Sequence, residues 1–97
     1  MLILRTLEPS AMHGYAIAKS IRSMSKDVLD VEQGSLYPAL YRMERRGWIR
    51  SKWSQSETNR RVKVYQLTRT GRRQLELEAS TWDTFVQAVQ RVMRKAR

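Results

Sequence analysis

The sequence predicts one small, mainly helical domain with a single β-hairpin, ending in a long amphipathic helix. Three observations lead there. Apolar residues recur at helical spacing in four separate stretches. One stretch, Arg61 to Leu67, instead alternates charge or amide with apolar groups, which is the period of a strand. The last apolar stripe, from Leu75 to Met93, continues for about five turns, more than a domain this small can cover.

In chain order, Met1 to Leu7 forms a short helix that buries Leu2, Ile3, Leu4 and Leu7, and Glu8-Pro9-Ser10 ends it. It begins at the first residue with no cap, as expected if residues precede it or if a partner covers it. A second helix runs from His13 or Gly14 to Met24, with Ile17, Ile21 and Met24 on its stripe. Gly14 lets another backbone come close. After Ser25 to Asp30 comes the third helix, within Val31 to Gly47, with Leu36, Leu40 and Met43 at i, i+4 and i+7. Its start has two readings. With Glu32 as the cap, Val31 and Leu36 form a hydrophobic staple and Pro38 lies inside the helix. With Ser35 as the cap, Pro38 falls in the first turn, where no intrahelical donor is lost. Gly47 ends the helix by tolerating the left-handed conformation.

Trp48 to Trp53 reads as a strand, Gln55 to Arg60 as a polar turn, and Arg61 to Leu67 as the returning strand. Val62, Val64 and Leu67 do not share one face, which predicts an irregularity near Gln66. Trp48 and Trp53 are expected in the hairpin core. Thr68 caps the last helix, which continues to about Arg94. The order is three helices, a hairpin and a long helix, with residues 1–70 as the first unit and 71–97 as the C-terminal helix of the same compact body. Three helices followed by a hairpin is the order of a winged helix-turn-helix domain, in which the third helix protrudes and the hairpin stands beside it as a wing.

Composition narrows the function. The chain has 97 residues, no cysteine, one histidine and nine acids, which argues against disulfides, metal centres and a pocketed enzyme. No nucleophile with a base and carboxylate, and no phosphate-cradling glycine loop, is visible. No apolar run approaches the roughly 20 residues of a membrane span, and no signal peptide is seen, so a cytoplasmic protein without cofactor or membrane partner is expected. Nineteen basic residues give a net charge of +10. Between Arg42 and Arg73 stand eleven basic residues and two acids, so +9 of that charge lies in one third of the chain. Such an excess is the electrostatic footprint of a polyanion binder.

Several segments carry a family signature: His13-Gly14-Tyr15; Gln33-Gly34-Ser35-Leu36-Tyr37-Pro38-Ala39-Leu40; Glu44-Arg45-Arg46-Gly47-Trp48-Ile49; and Tyr65-Gln66-Leu67-Thr68-Arg69-Thr70-Gly71. Correctly ordered and spaced over about residues 1 to 75, they resemble the PadR family of bacterial transcriptional regulators. Val31 to Ser35 and Ser56 to Arg61 further resemble its short-tailed branch, common in acidobacterial genomes. The resemblance implies a winged helix-turn-helix repressor that dimerises through its C-terminal helix, and some members respond to small aromatic or hydrophobic molecules at the dimer interface.

The partner expected is therefore double-stranded DNA, bound at a near-palindromic site by a homodimer. The DNA-binding candidates are Gln33, Ser35, Tyr37, Arg42, Arg45 and Arg46 on the third helix and Arg60, Arg61 and Lys63 on the wing. Arg42 is the foremost groove contact, with a fork that matches guanine. Ser35 serves as cap, DNA contact or both, and the matched family position makes Tyr37 a DNA-facing hydroxyl rather than a core ring. His13 is read as a local cap or surface group, with a phosphate contact as the lesser reading. The dimer interface is expected at Leu75, Trp82, Phe85, Val86, Val89, Val92 and Met93. Trp82 and Phe85 have a second reading, a pocket for an aromatic effector. Two rival functions remain: a winged-helix module docking an acidic protein, and a ligand-gated sensor of planar aromatic compounds.

Overall fold

The computed structural model describes residues 1–95. Its elements are α1 (Leu2–Leu7), β1 (Met12–His13), α2 (Gly14–Met24), α3 (Gln33–Arg45), β2 (Ile49–Gln55), β3 (Arg61–Leu67) and α4 (Arg69–Lys95). The last two residues of the predicted C-terminal unit lie outside the described residues. Ile3, Leu4 and Leu7 of α1, Ile17 and Ile21 of α2, and Leu36 and Leu40 of α3 converge on Ile49, Tyr65 and Leu67 of the sheet and Leu75 of α4. Burying these side chains, each worth about 1.5–3 kcal/mol, fixes the first three helices and leaves one side of α3 outside.

The mainly helical fold with a small antiparallel sheet and a long last helix agrees with the sequence reading. The helix ends follow local rules. The Nδ1 atom of His13 accepts the Ala16 N–H at 3.2 Å and so caps α2. The start of α3 is now settled: Glu32 is the cap residue, and its carbonyl accepts the N–H groups of Ser35 and Leu36 at 3.0 and 2.9 Å. Val31 packs against the core, as the staple reading expects. Pro38 therefore lies inside the helix and leaves the Gly34 carbonyl without its donor. Both residues are exposed, so water can satisfy that oxygen. At the other end the Gly47 and Trp48 N–H groups reach back to Glu44 and Met43, both at 3.0 Å, with Gly47 at φ 77°. This pair of bonds is a Schellman motif.

The sheet departs from expectation in three ways. It has three strands in the order β1-β3-β2, because Met12 and His13 pair antiparallel with Tyr65 and Val64. Two residues are too few to show an alternating pattern, so β1 was not visible in the sequence. No irregularity occurs near Gln66: the β2–β3 register runs unbroken from Ile49↔Leu67 to Gln55↔Arg61. The buried face of β3 is Tyr65 and Leu67, while Val62 and Val64 lie on the opposite face, half-buried. Trp53 is not hairpin core, since it is 57% exposed beyond the end of the packed sheet. Two stripe residues are likewise outside the core: Met24 and Leu2 are exposed.

The junction of β3 and α4 explains one motif physically. The Thr68 hydroxyl lies against the carbonyl oxygens of Gly47 and Trp48, at 2.5 and 2.9 Å, and accepts the Gly71 N–H at 3.0 Å. The Thr68 N–H also donates to the Trp48 carbonyl at 3.0 Å. Thr68 is thus both the cap of α4 and the clasp that holds it to the end of α3. Leu75 is 2% exposed within this core, which corrects its assignment to the dimer interface: one turn past the clasp, α4 still packs on its own protomer.

Candidate nucleic-acid interface

With about 3.6 residues per turn, the side of α3 opposite Leu36, Leu40 and Met43 has three parts. Gly34, Pro38, Tyr41 and Arg45 form its crest. Ser35, Arg42 and Arg46 form one flank. Tyr37 and Glu44 form the other flank, which faces the wing. All of these except Glu44 are exposed. Gln33, in the first turn, is exposed as well.

The arginines differ in their surroundings. The Arg45 guanidinium lies 5.8 Å from the Tyr41 ring centroid, and that of Arg46 lies 5.1 Å from the Trp48 ring. Stacking holds both side chains close to α3. Arg42 has no carboxylate or ring partner among the described residues, so its five donors are free. Together with Tyr41 these arginines surround a shallow concavity of about 370 Å³.

The wing is tied to α3 by one carboxylate. Glu44 accepts the Ser51 hydroxyl at 2.6 Å and lies 3.7 Å from the Lys63 ammonium. Lys63 is therefore an inward-facing residue with a paired charge, unlike Arg60 in the wing-tip turn and Arg61 beside it, both exposed. The sequence could not distinguish Lys63 from them because its partner is nineteen residues away on another element. Burial, and after it the negative charge of Glu44, raises the Tyr65 phenol above its ordinary value, so the hydroxyl under the wing stays neutral.

Tyr37 is positioned by Gly14. A Cβ added at Gly14 would lie 2.8–2.9 Å from Cε1, Cζ and the hydroxyl oxygen of Tyr37, so it is a side chain, not a backbone, that needs this glycine. Gly14→Ala is expected to cost about 1–2 kcal/mol and to swing Tyr37 off the surface of α2. Urea denaturation and the Tyr37 ring resonances would show both effects, and unchanged resonances would refute the second.

Past Glu78, whose carboxylate pairs with the Met1 ammonium at 3.0 Å, α4 leaves the body of the protein. Trp82, Phe85, Val89, Val92 and Met93 are exposed, and Val86 is half-buried. The Trp82 and Phe85 rings sit 5.8 Å apart, tilted by 33°, and help line an open concavity of about 430 Å³ with Leu77, Thr81 and Glu78. No helix is long and apolar enough to cross a membrane, and no group of metal-ligating side chains occurs among the described residues.

Three helices around one core, the third with an exposed polar face, and a hairpin wing beside it define a winged helix-turn-helix domain. Residues 3–77 match the model of the transcriptional regulator PadR-like family, and the chain belongs to that family. Solved structures agree. A PadR family transcription regulator from Clostridium difficile is 32% identical, with a TM-score of 0.81 over 95% of this chain and 94% of that one. A transcriptional regulator from Clostridium thermocellum is 27% identical, with a TM-score of 0.84 over 93% and 87% of the two chains. A PadR-like regulator from Bacillus cereus is 25% identical, with a TM-score of 0.79 over 94% and 86%. No curated protein matches this sequence.

Proposed function

We propose that this PadR-family regulator is a cytoplasmic repressor that binds a near-palindromic DNA site as a homodimer. The observation that carries the reading is the exposed side of α3. Its crest and outer flank hold hydroxyls, arginines and no carboxylate, and the one acid of the helix, Glu44, is occupied by the wing. A major groove about 12 Å wide admits such a helix. Arg42 and Ser35 face the base edges from one flank and Arg45 from the crest. Gln33 lies at the amino end, and Arg60 reaches a flanking phosphate or the minor groove from the wing tip. Repression follows from occupancy, since a protein lying across the groove denies the site to others.

The dimer rests on α4. Its exposed apolar residues form the kind of patch that marks an interface, and the same helix of a second copy is the simplest cover. A two-fold axis there sets two recognition helices about 34 Å apart, one turn of DNA. The open concavity at Trp82 and Phe85 would be closed by the partner, and offers a small aromatic or hydrophobic effector a place to act on the spacing.

Selection of bound sequences from a random duplex pool tests the reading. Two inverted half-sites about 10 base pairs apart are expected. Failure to retain any duplex at low salt would favour the alternative, a winged-helix module for an acidic protein. Within the selected site, Arg42→Ala is expected to weaken binding by about 1–3 kcal/mol and to relax one base position in each half-site. Preferences unchanged at every position would remove Arg42 from the groove.

A further inference from the structure

The inner face of the hairpin changes character along its length. Ile49↔Leu67, Ser51↔Tyr65, Trp53↔Lys63 and Gln55↔Arg61 are successive register pairs on one face. The first two pairs sit on the core. Beyond Tyr65 the strands leave it, and the same face turns aromatic and cationic. The Arg61 guanidinium lies 4.8 Å from the Trp53 ring centroid and the Lys63 ammonium 6.0 Å from it. This face, Tyr37 of α3 and the start of α2 enclose a cleft of about 440 Å³, lined by His13, Tyr15, Tyr37, Trp53, Arg61 and Lys63.

Core packing does not account for this arrangement, since Trp53 is more than half exposed. The Lys63 charge is matched by Glu44, whereas Arg61 has no carboxylate partner among the described residues. A guanidinium stacked on an indole uses its face and keeps its N–H groups in plane at the edge, a fork that suits a phosphate. His13 adds a donor: its Nδ1 accepts from Ala16, so the neutral ring carries its proton on Nε2. The cleft lies along the Tyr37 flank of α3. With α3 in a major groove, one bounding DNA strand must pass along that flank, under the overhanging wing.

We propose that Trp53 is the positioning residue of this cleft, holding the Arg61 guanidinium against a phosphate of the DNA strand that passes between α3 and the wing. The proposal rests on the reading of α3 as the recognition helix, and assigns a binding role to a cleft and a tryptophan outside that helix. Because a phosphate carries no sequence information, the contact is blind to sequence.

Anisotropy titrations over a range of salt, on the selected duplex and a scrambled one, read the effect. Trp53→Ala is expected to weaken both duplexes alike by about 5–10-fold and to lower the salt slope by about one. Trp53→Phe keeps a ring and retains most of the binding. Arg61→Ala matches the loss, and the double variant loses no more than Arg61→Ala alone. Additive losses, an unchanged slope, or a loss confined to the selected duplex would overturn the proposal. Fluorine NMR of 5-fluorotryptophan protein gives an independent readout, with the Trp53 line assigned by Trp53→Phe. Bound duplex is expected to shift that line. Duplex bound with the line unmoved would overturn the cleft and leave the α3 reading standing, whereas no binding of any duplex at low salt would remove both.

Discussion

Gly71→Ala is expected to cost at least about 3 kcal/mol of folding free energy, a large part of the total for a small domain. A Cβ at this position would overlap the Trp48 carbonyl oxygen, and would sit 2.8 Å from the Trp48 carbonyl carbon and from the Leu67 Cδ1. A backbone oxygen cannot rotate aside. It is also held in place as the acceptor of both the Thr68 N–H and the Thr68 hydroxyl. Relief would require α4 to lift from the sheet, uncovering Leu67 and Leu75. Gly34→Ala is the control, because a Cβ there meets nothing within 4 Å. Alanine favours the helix at that position by up to about 1 kcal/mol. Urea denaturation should separate the two variants clearly, and a Gly71→Ala midpoint no lower than that of Gly34→Ala would sink the argument.

The second large effect is expected from Trp82→Asp. Trp82 is 50% exposed in the protomer, so the substitution should leave the helical content and the protomer core intact. In a seam between two α4 helices it would trap an unpaired carboxylate among apolar groups. The dimer should dissociate, and DNA affinity should then fall by about 10²–10⁴-fold as two linked half-site contacts become one. Sedimentation equilibrium reads the first result and anisotropy the second. A protein that remains dimeric would place the interface on another surface.

Both variants turn on glycines or apolar residues whose meaning depends on what they touch, and this marks how far the sequence could be read. The long stripe of α4 was legible as helix, but one property of it was not. Leu75 and Trp82 are seven residues apart on the same stripe, yet Leu75 is buried in its own protomer and Trp82 is not. Periodicity reports which side of a helix is apolar and is silent about where along its length the neighbouring elements stop. The candidate site divides in the same way. That Arg42, Arg45 and Arg46 leave the core side of α3 follows from spacing alone. That Arg45 and Arg46 are engaged with Tyr41 and Trp48 while Arg42 is free requires the coordinates of all three.

Local rules act within about a turn of chain, and they are what the amino-acid order by itself determined here. They include the Thr68 and His13 caps, the Gly47 terminator, the period of each helix and of β3, the basic excess from Arg42 onward, and hence the winged-helix order of elements. Tertiary structure alone decided that α3 starts after Glu32 rather than Ser35, because Val31 gains burial only once a core exists to receive it. It alone decided that Met12 and His13 form a strand, that Lys63 is spent on Glu44, and that Trp53 stands outside the core with Arg61 across its face. Each of these depends on a partner far away in the chain. Such pairings are selected by the burial and charge balance of the whole fold, which no local pattern encodes.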